Sequence, residues 1–384
     1  MATIDEIVST FRENRHQIEF LETPKLSDVD LRATFDYLSG KDVDIRVIYD
    51  RIKDFQQNLI GIVGEASQFV PIDATLLHAY LTHDAFHLAS DLENLMILLS
   101  YTSYPRELYQ HNKGRTEQFI YGQNNTFETI KRAYISLLKL CEAIVLTDIG
   151  YPIEYDEFSL DKLVHDVINL VSNRFNFPLI MKDKEIIFNV DLEVSRVYGN
   201  EGMMWSIVYN NVKNAGKKLL EMLSRNEIGE AHVSIRTFEM GQDYFMLAFA
   251  DNGSPISIDR VKKFVYELCQ REVEIFDPEM SKRLKRWVSN PFAVNRIYHE
   301  DFTNLVFIAN LTGSGLSFTG GLGLYGTRYC ITELNGAILY GEDIKNGYPV
   351  FAYIMPKRSV RDSKAERISD ELKTKKRLDF NPIV

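Results

Sequence analysis

Two long amphipathic patterns in the first half of the chain constrain its fold most. In residues 73 to 101, Leu81, Leu88, Leu92, Leu95 and Leu99 fall on one narrow stripe at about 100° per residue, the signature of a helix with one apolar face. A second helical pattern runs from about 116 to 147, with Ile130, Ala133, Tyr134, Leu137, Leu138, Cys141 and Ile144 on one side. Between them, residues 103 to 114 carry Pro105, Asn112 and Gly114 and read as a connecting loop. Two such helices form a hairpin that cannot bury both stripes alone. Pairing of two copies into a four-helix bundle is its natural completion, so residues 71–150 predict a homodimer.

At 384 residues the chain needs two or three cores rather than one. Residues 1–70 are polar, mostly helical in pattern and broken at Pro24 and at Ser39-Gly40; they are expected either to dock a partner or to support the hairpin. A net charge of −10 argues against a general affinity for nucleic acid or an anionic membrane. No run of about 18 apolar residues occurs, so no membrane span is expected. The start, Met1-Ala2-Thr3-Ile4-Asp5-Glu6, has neither the basic end nor the apolar core of a signal peptide. Cys141, Cys269 and Cys330 are odd in number and far apart, which suits reduced thiols and a cytoplasmic protein.

After Gly150-Tyr151-Pro152 the pattern changes. Residues 159 to 171 read as a helix capped by Ser159, and residues 185 to 190 as a half-buried strand. A helix over 201–223 follows, then strands over 231–238 and 244–250 around the turn Gly241-Gln242-Asp243. Residues 258 to 319 are irregular. A glycine-rich turn, a helix to about Glu333 and strands over 337–340 and 349–355 complete a domain placed at 155–356. Sheet interleaved with helices predicts an α+β class, here an α/β sandwich, with a charged tail over 357–384.

Three elements of this half carry chemistry. In Asn210-Asn211-Val212-Lys213-Asn214-Ala215, Asn210 and Asn214 share one helical face, and amide oxygens so placed suit Mg²⁺. Lys217 and Lys218, on the next turn, are within reach of phosphate oxygens. Asp251-Asn252-Gly253 ends a strand: its carboxylate can accept from an adenine amino group, and Gly253 lets backbone approach a ring. Thr319-Gly320-Gly321-Leu322-Gly323-Leu324 opens a helix, and unobstructed amides at a helix N-terminus cradle phosphate. Taken singly, these are a polar helix face, a common turn and a glycine-rich bend.

In this order and spacing, however, they resemble the ATP-binding domain shared by sensor histidine kinases, gyrase-type ATPases and mismatch-repair ATPases. The resemblance covers about 200 residues. It implies ATP and Mg²⁺ as cofactors, with Asn214 as main metal ligand, Asn210 as a second polar group near the metal, Asp251 and Gly253 at adenine, and Gly321 and Gly323 along the phosphates. The sequence departs from the family pattern at Pro255, where a second glycine is usual, and at Thr319, where the first glycine of the phosphate turn is usual.

His83-Asp84 lies midway along the first hairpin helix, with His87 one turn on. His83 falls about 140° from the leucine stripe and so projects outward. An imidazole whose ring proton a neighbouring carboxylate can take is a phosphoryl acceptor. His-Asp-x-x-His also resembles the phospho-acceptor box of histidine kinases, although the usual downstream proline is missing. That resemblance implies His83 as acceptor, Asp84 as base, and His87 at the position that helps water attack a partner's phospho-aspartate. His78 is expected to be structural. The expectation is a histidine kinase that passes a phosphoryl group to a response-regulator receiver domain. The alternatives are a non-catalytic scaffold or phosphotransfer protein with a degenerate nucleotide site, and a serine kinase built on the same domain.

Overall fold

The computed structural model describes residues 153–175, 186–257, 311–312, 315–316, 322–343 and 346–357, and, nearer the N-terminus, residues 9, 12–13, 15–16, 132–133, 135–140, 142–144 and 147. The chain divides into two compact units, Met1–Ile153 and Glu154–Val384.

In the first unit the described part of the second hairpin pattern is helical, and Ala133, Leu137, Leu138, Leu140, Ala143 and Ile144 are all buried within a single chain. Burial therefore extends beyond the expected stripe to Leu140 and Ala143. Glu142 on the same helix is buried too, and it is met by Arg15 Nη1 at 3.3 Å and Arg12 Nε at 3.5 Å. A buried carboxylate needs such partners to offset its lost hydration. These ion pairs tie Arg12 and Arg15 to the helix that carries Glu142. The leucine stripe over 73–101 lies outside the described residues.

The second unit is a five-stranded mixed sheet with helices against it. Its elements are β1 (Asp156–Ser159), α1 (Leu160–Phe175), β2 (Ile186–Leu192), β3 (Arg196–Gly199), α2 (Glu201–Ser224), β4 (Ala231–Met240), β5 (Tyr244–Asp251), β6 (Leu311–Thr312), β7 (Gly315–Leu316), α3 (Leu322–Glu333), β8 (Ala337–Glu342) and β9 (Pro349–Pro356). The strand order is β2-β4-β5-β9-β8, with β2 parallel to β4 and every other neighbour antiparallel. The parallel pair needs a long crossover, which β3 and α2 provide. Gly241 at φ 75° and Gly347 at φ 69° close the β4–β5 and β8–β9 hairpins in the left-handed region that glycine enters without strain.

The expected strands and helices all appear, most of them one to four residues longer than their sequence patterns. Ser159 caps α1 as expected, its hydroxyl accepting from the Lys162 amide at 3.2 Å. Two features escaped the sequence reading. One is the short antiparallel pair β1–β3, in register from Asp156↔Gly199 to Ser159↔Arg196. The other is Asn200, which caps α2 by accepting from the Met203 amide at 3.0 Å. The irregular stretch contains the two-residue pair β6–β7 among its described residues.

Helix α2 is the spine of the unit, packing against α1, α3 and the sheet. Met203, Met204, Trp205, Ile207, Val208, Tyr209, Val212, Leu219 and Leu223 are all buried along it. It is pinned to the sheet by a buried polar tie: Tyr353 on β9 donates to Asn211 Oδ1 at 2.8 Å. Cys330 is buried on α3, as a small core residue. Among the described residues no helix is long and apolar enough to cross a membrane.

Candidate nucleotide site

Strand β5, central in the sheet, delivers Asp251 at its C-terminal end because its run Phe245 to Ala250 is buried in the core, apart from half-buried Met246, and ends in a turn. Asn252 fixes that turn. Its Oδ1 accepts from the His232 amide at 2.8 Å, its Nδ2 donates to the Glu230 carbonyl at 2.8 Å, and its own amide donates to the His232 carbonyl at 3.1 Å. One side chain thereby closes β4 and β5 together and holds Asp251 in place.

The Asp251 carboxylate is buried, and its Oδ1 accepts from the Gly253 amide at 2.9 Å and from Lys218 Nζ at 2.9 Å. Gly253 is essential to this arrangement. A Cβ there would lie 2.7 Å from Asp251 Oδ1 and 2.7 Å from Lys218 Cε, closer than real Cβ contacts come. Beyond it, the Ile256 amide donates to the Tyr340 hydroxyl at 2.9 Å. Pro255 is accommodated because this tether uses the amide that follows it. Burial pushes the Tyr340 hydroxyl well above its ordinary 10.0; the Ile256 amide opposes this, and the charges of Asp251 and Glu342 add to it.

The face of α2 that carries Asn210 and Asn214 adjoins α3. Asn210 is fully buried, and its Nδ2 donates to the Ser206 carbonyl at 2.9 Å and to Ser206 Oγ at 3.2 Å. Its Oδ1 faces Gly323: a Cβ at that glycine would sit 2.5 Å from the oxygen. The helix that follows the glycine-rich turn is therefore seated directly on the asparagine helix, and Gly323 is what permits the approach. Asn214 and Lys217 are exposed one and two turns along.

Of the residues singled out in the sequence, Asn210 and Gly323 are in contact, as are Asp251 and Gly253. Asn214 and Lys217 lie open beside them on α2. Lys218, expected to have a phosphate role, instead reaches the carboxylate of Asp251. At the Asp251 end the sequence reading missed Tyr340, and it missed that Lys218 meets the carboxylate. For Lys218 a signal existed, since it stands one turn from Asn214 on the same helix. For Tyr340 there was none, because it joins the site from a distant strand. His83, Asp84, His87, Gly321 and Thr319 lie outside the described residues.

No family model matches the sequence, and no curated protein matches it. The solved structures it is similar to include sensor histidine kinases and their catalytic domains. A mycobacterial sensor histidine kinase, MprB, aligns at 15% identity over 53% of this chain and 100% of that one, with a TM-score of 0.35. The catalytic domain of histidine kinase ThkA aligns at 19% identity over 53% of this chain and 99% of that one, at 0.34. Acinetobacter baumannii histidine kinase AdeS aligns at 14% identity over 71% of this chain and 94% of that one, at 0.34. At TM-scores this low the likenesses do not bear on what the chain does; the residues of the site do.

Proposed function

We propose that residues 155–356 bind ATP with Mg²⁺ and that the chain is a histidine kinase, moving the γ-phosphoryl group to His83 and on to an aspartate of a response-regulator receiver domain. The observation that carries the nucleotide reading is the buried Asp251 carboxylate at the end of β5, bonded by the Gly253 amide and met by Lys218 from α2, the helix that also carries the Asn210–Asn214 face. A buried carboxylate with capacity to spare is poised to accept from an exocyclic amine.

Each group then has a task. Asp251 takes the adenine amino group. Asn214, exposed on α2, offers the amide oxygen that a magnesium ion accepts among its waters, and Asn210 braces the helix behind it. That ion, when bound, neutralises charge on the phosphates. Lys217 meets phosphate oxygens, and Gly321 and Gly323 leave backbone amides open to them. In the hairpin, Asp84 takes the ring proton of His83 and leaves the other nitrogen nucleophilic. His87 orients water toward the partner's phospho-aspartate. The hairpin pairs with that of a second copy.

A non-catalytic nucleotide-binding scaffold is the second reading, favoured by Pro255 and Thr319 in place of the family's glycines. Thermal unfolding with and without ATP and Mg²⁺ tests the site itself. A ligand bound only by the folded state stabilises it by about 2.7 kcal/mol at a hundredfold excess over Kd, so the midpoint should rise with ATP concentration. A midpoint indifferent to ATP would remove the nucleotide site and the kinase with it.

A further inference from the structure

Lys218 has no assigned part in the reading above, yet it occupies the centre of the base end of the site. Its Nζ lies 2.9 Å from Asp251 Oδ1; the lysine side chain is 33% exposed and the carboxylate 8%. Gly253 provides the space: a Cβ there would come within 2.7 Å of Lys218 Cε and 2.9 Å of Nζ. With Lys218 and Gly253 both on Oδ1, Asp251 Oδ2 receives no hydrogen bond from any described residue. A strong donor and an acceptor that no described residue meets thus stand side by side at the end of β5. An ammonium has three N–H groups and Asp251 uses one of them.

We propose that Lys218 is a base-reading residue which, together with Asp251, selects a heterocycle edge with a donor next to an acceptor. This rests on the nucleotide-site reading above. In adenine the exocyclic amine donates to Oδ2 of Asp251, while the adjacent ring nitrogen N1 accepts from the Lys218 ammonium. Lys218 therefore adds specificity as well as offsetting the buried charge of Asp251. If it served only as a counter-charge, removing it would affect all nucleotides alike. If it reads N1, the effect depends on that one atom.

The test is a cycle between one residue and one ring atom. Titration calorimetry on the full chain with Mg²⁺ compares ATP with 1-deaza-ATP, which keeps the amine but replaces N1 with C–H. Wild type should bind 1-deaza-ATP about tenfold more weakly than ATP, the scale of one charge-assisted hydrogen bond left unmade. Lys218→Met should bind the two equally, and Lys218→Arg, which keeps a cationic donor, should still discriminate. Equal binding of both nucleotides by wild type, or undiminished discrimination by Lys218→Met, would overturn the proposal and leave the ATP site standing. Wild-type protein that binds neither nucleotide would instead overturn the nucleotide-site reading, and this inference with it.

Discussion

Tyr353 on β9 and Asn211 on α2 share a 2.8 Å hydrogen bond in a fully buried seam, 142 residues apart in sequence. It is a polar tie between the spine helix and the sheet. Asn211 Nδ2 is already committed to the Ile207 carbonyl at 2.7 Å, so the tyrosine hydroxyl satisfies the amide's other end. Tyr353→Phe removes the donor and leaves a buried acceptor unmet. The expected loss is about 1–3 kcal/mol of unfolding free energy in denaturant titration. No loss would mean that the seam is wet or relaxes freely.

The same hydroxyl sets a pH dependence. Burial raises its ionisation above the ordinary 10.0, and burial raises that of Tyr340 as well. A tyrosine whose folded-state pKa is raised keeps its proton when the unfolded chain has lost it. Its stabilisation is full below about pH 10 and is lost as pH rises above that value. Stability should therefore fall steeply in strong alkali, and Tyr340→Phe should make that fall shallower. An alkaline limb unchanged in the variant would contradict the assignment.

Gly323 and Asn210 give a prediction that separates packing from ligand contact. Gly323→Ala introduces a Cβ 2.5 Å from Asn210 Oδ1 and 3.1 Å from its Cγ, so the buried Asn210 side chain or α3 must give way. Overpacking of this kind costs about 1–3 kcal/mol. Because α3 follows the glycines proposed to line the phosphates, ATP affinity should fall along with thermal stability. A variant of wild-type stability and affinity would show that the two helices do not meet as described.

Asp251→Asn keeps the shape and removes the charge. Nucleotide affinity should drop by about ten- to a hundredfold, the worth of a hydrogen bond to a charged group. Lys218 then has no carboxylate to meet. Unaltered affinity in calorimetry would place the base elsewhere.

Much of the second unit's architecture was legible because its elements are long and periodic. The strand-like runs over 231–238 and 244–250 stand where β4 and β5 form, and Gly241 marked a hairpin that the structure closes in the left-handed region. The pair β1–β3 was not legible, since four-residue strands carry too little alternation to stand out. At the site, Asp251, Gly253, Asn210 and Gly323 were visible as motif positions, but the contacts between them were not. That Asn210 abuts Gly323 follows from helix packing, and that Tyr340 holds the Ile256 amide follows from strand order. Both are long-range facts that no local pattern encodes. Lys218 was legible only as a cation within reach of phosphate oxygens, because nothing local shows that the fold brings the Asp251 carboxylate to it.

The central claim is that this chain moves a phosphoryl group from ATP to His83. The most direct measurement incubates the full chain and its His83→Ala variant with γ-labelled ATP and Mg²⁺, then follows protein-bound label through acid and alkali. The account predicts label on the wild type that acid removes and alkali spares, and no label on the variant. Label that survives acid, label that persists in His83→Ala, or no label on either protein would contradict it.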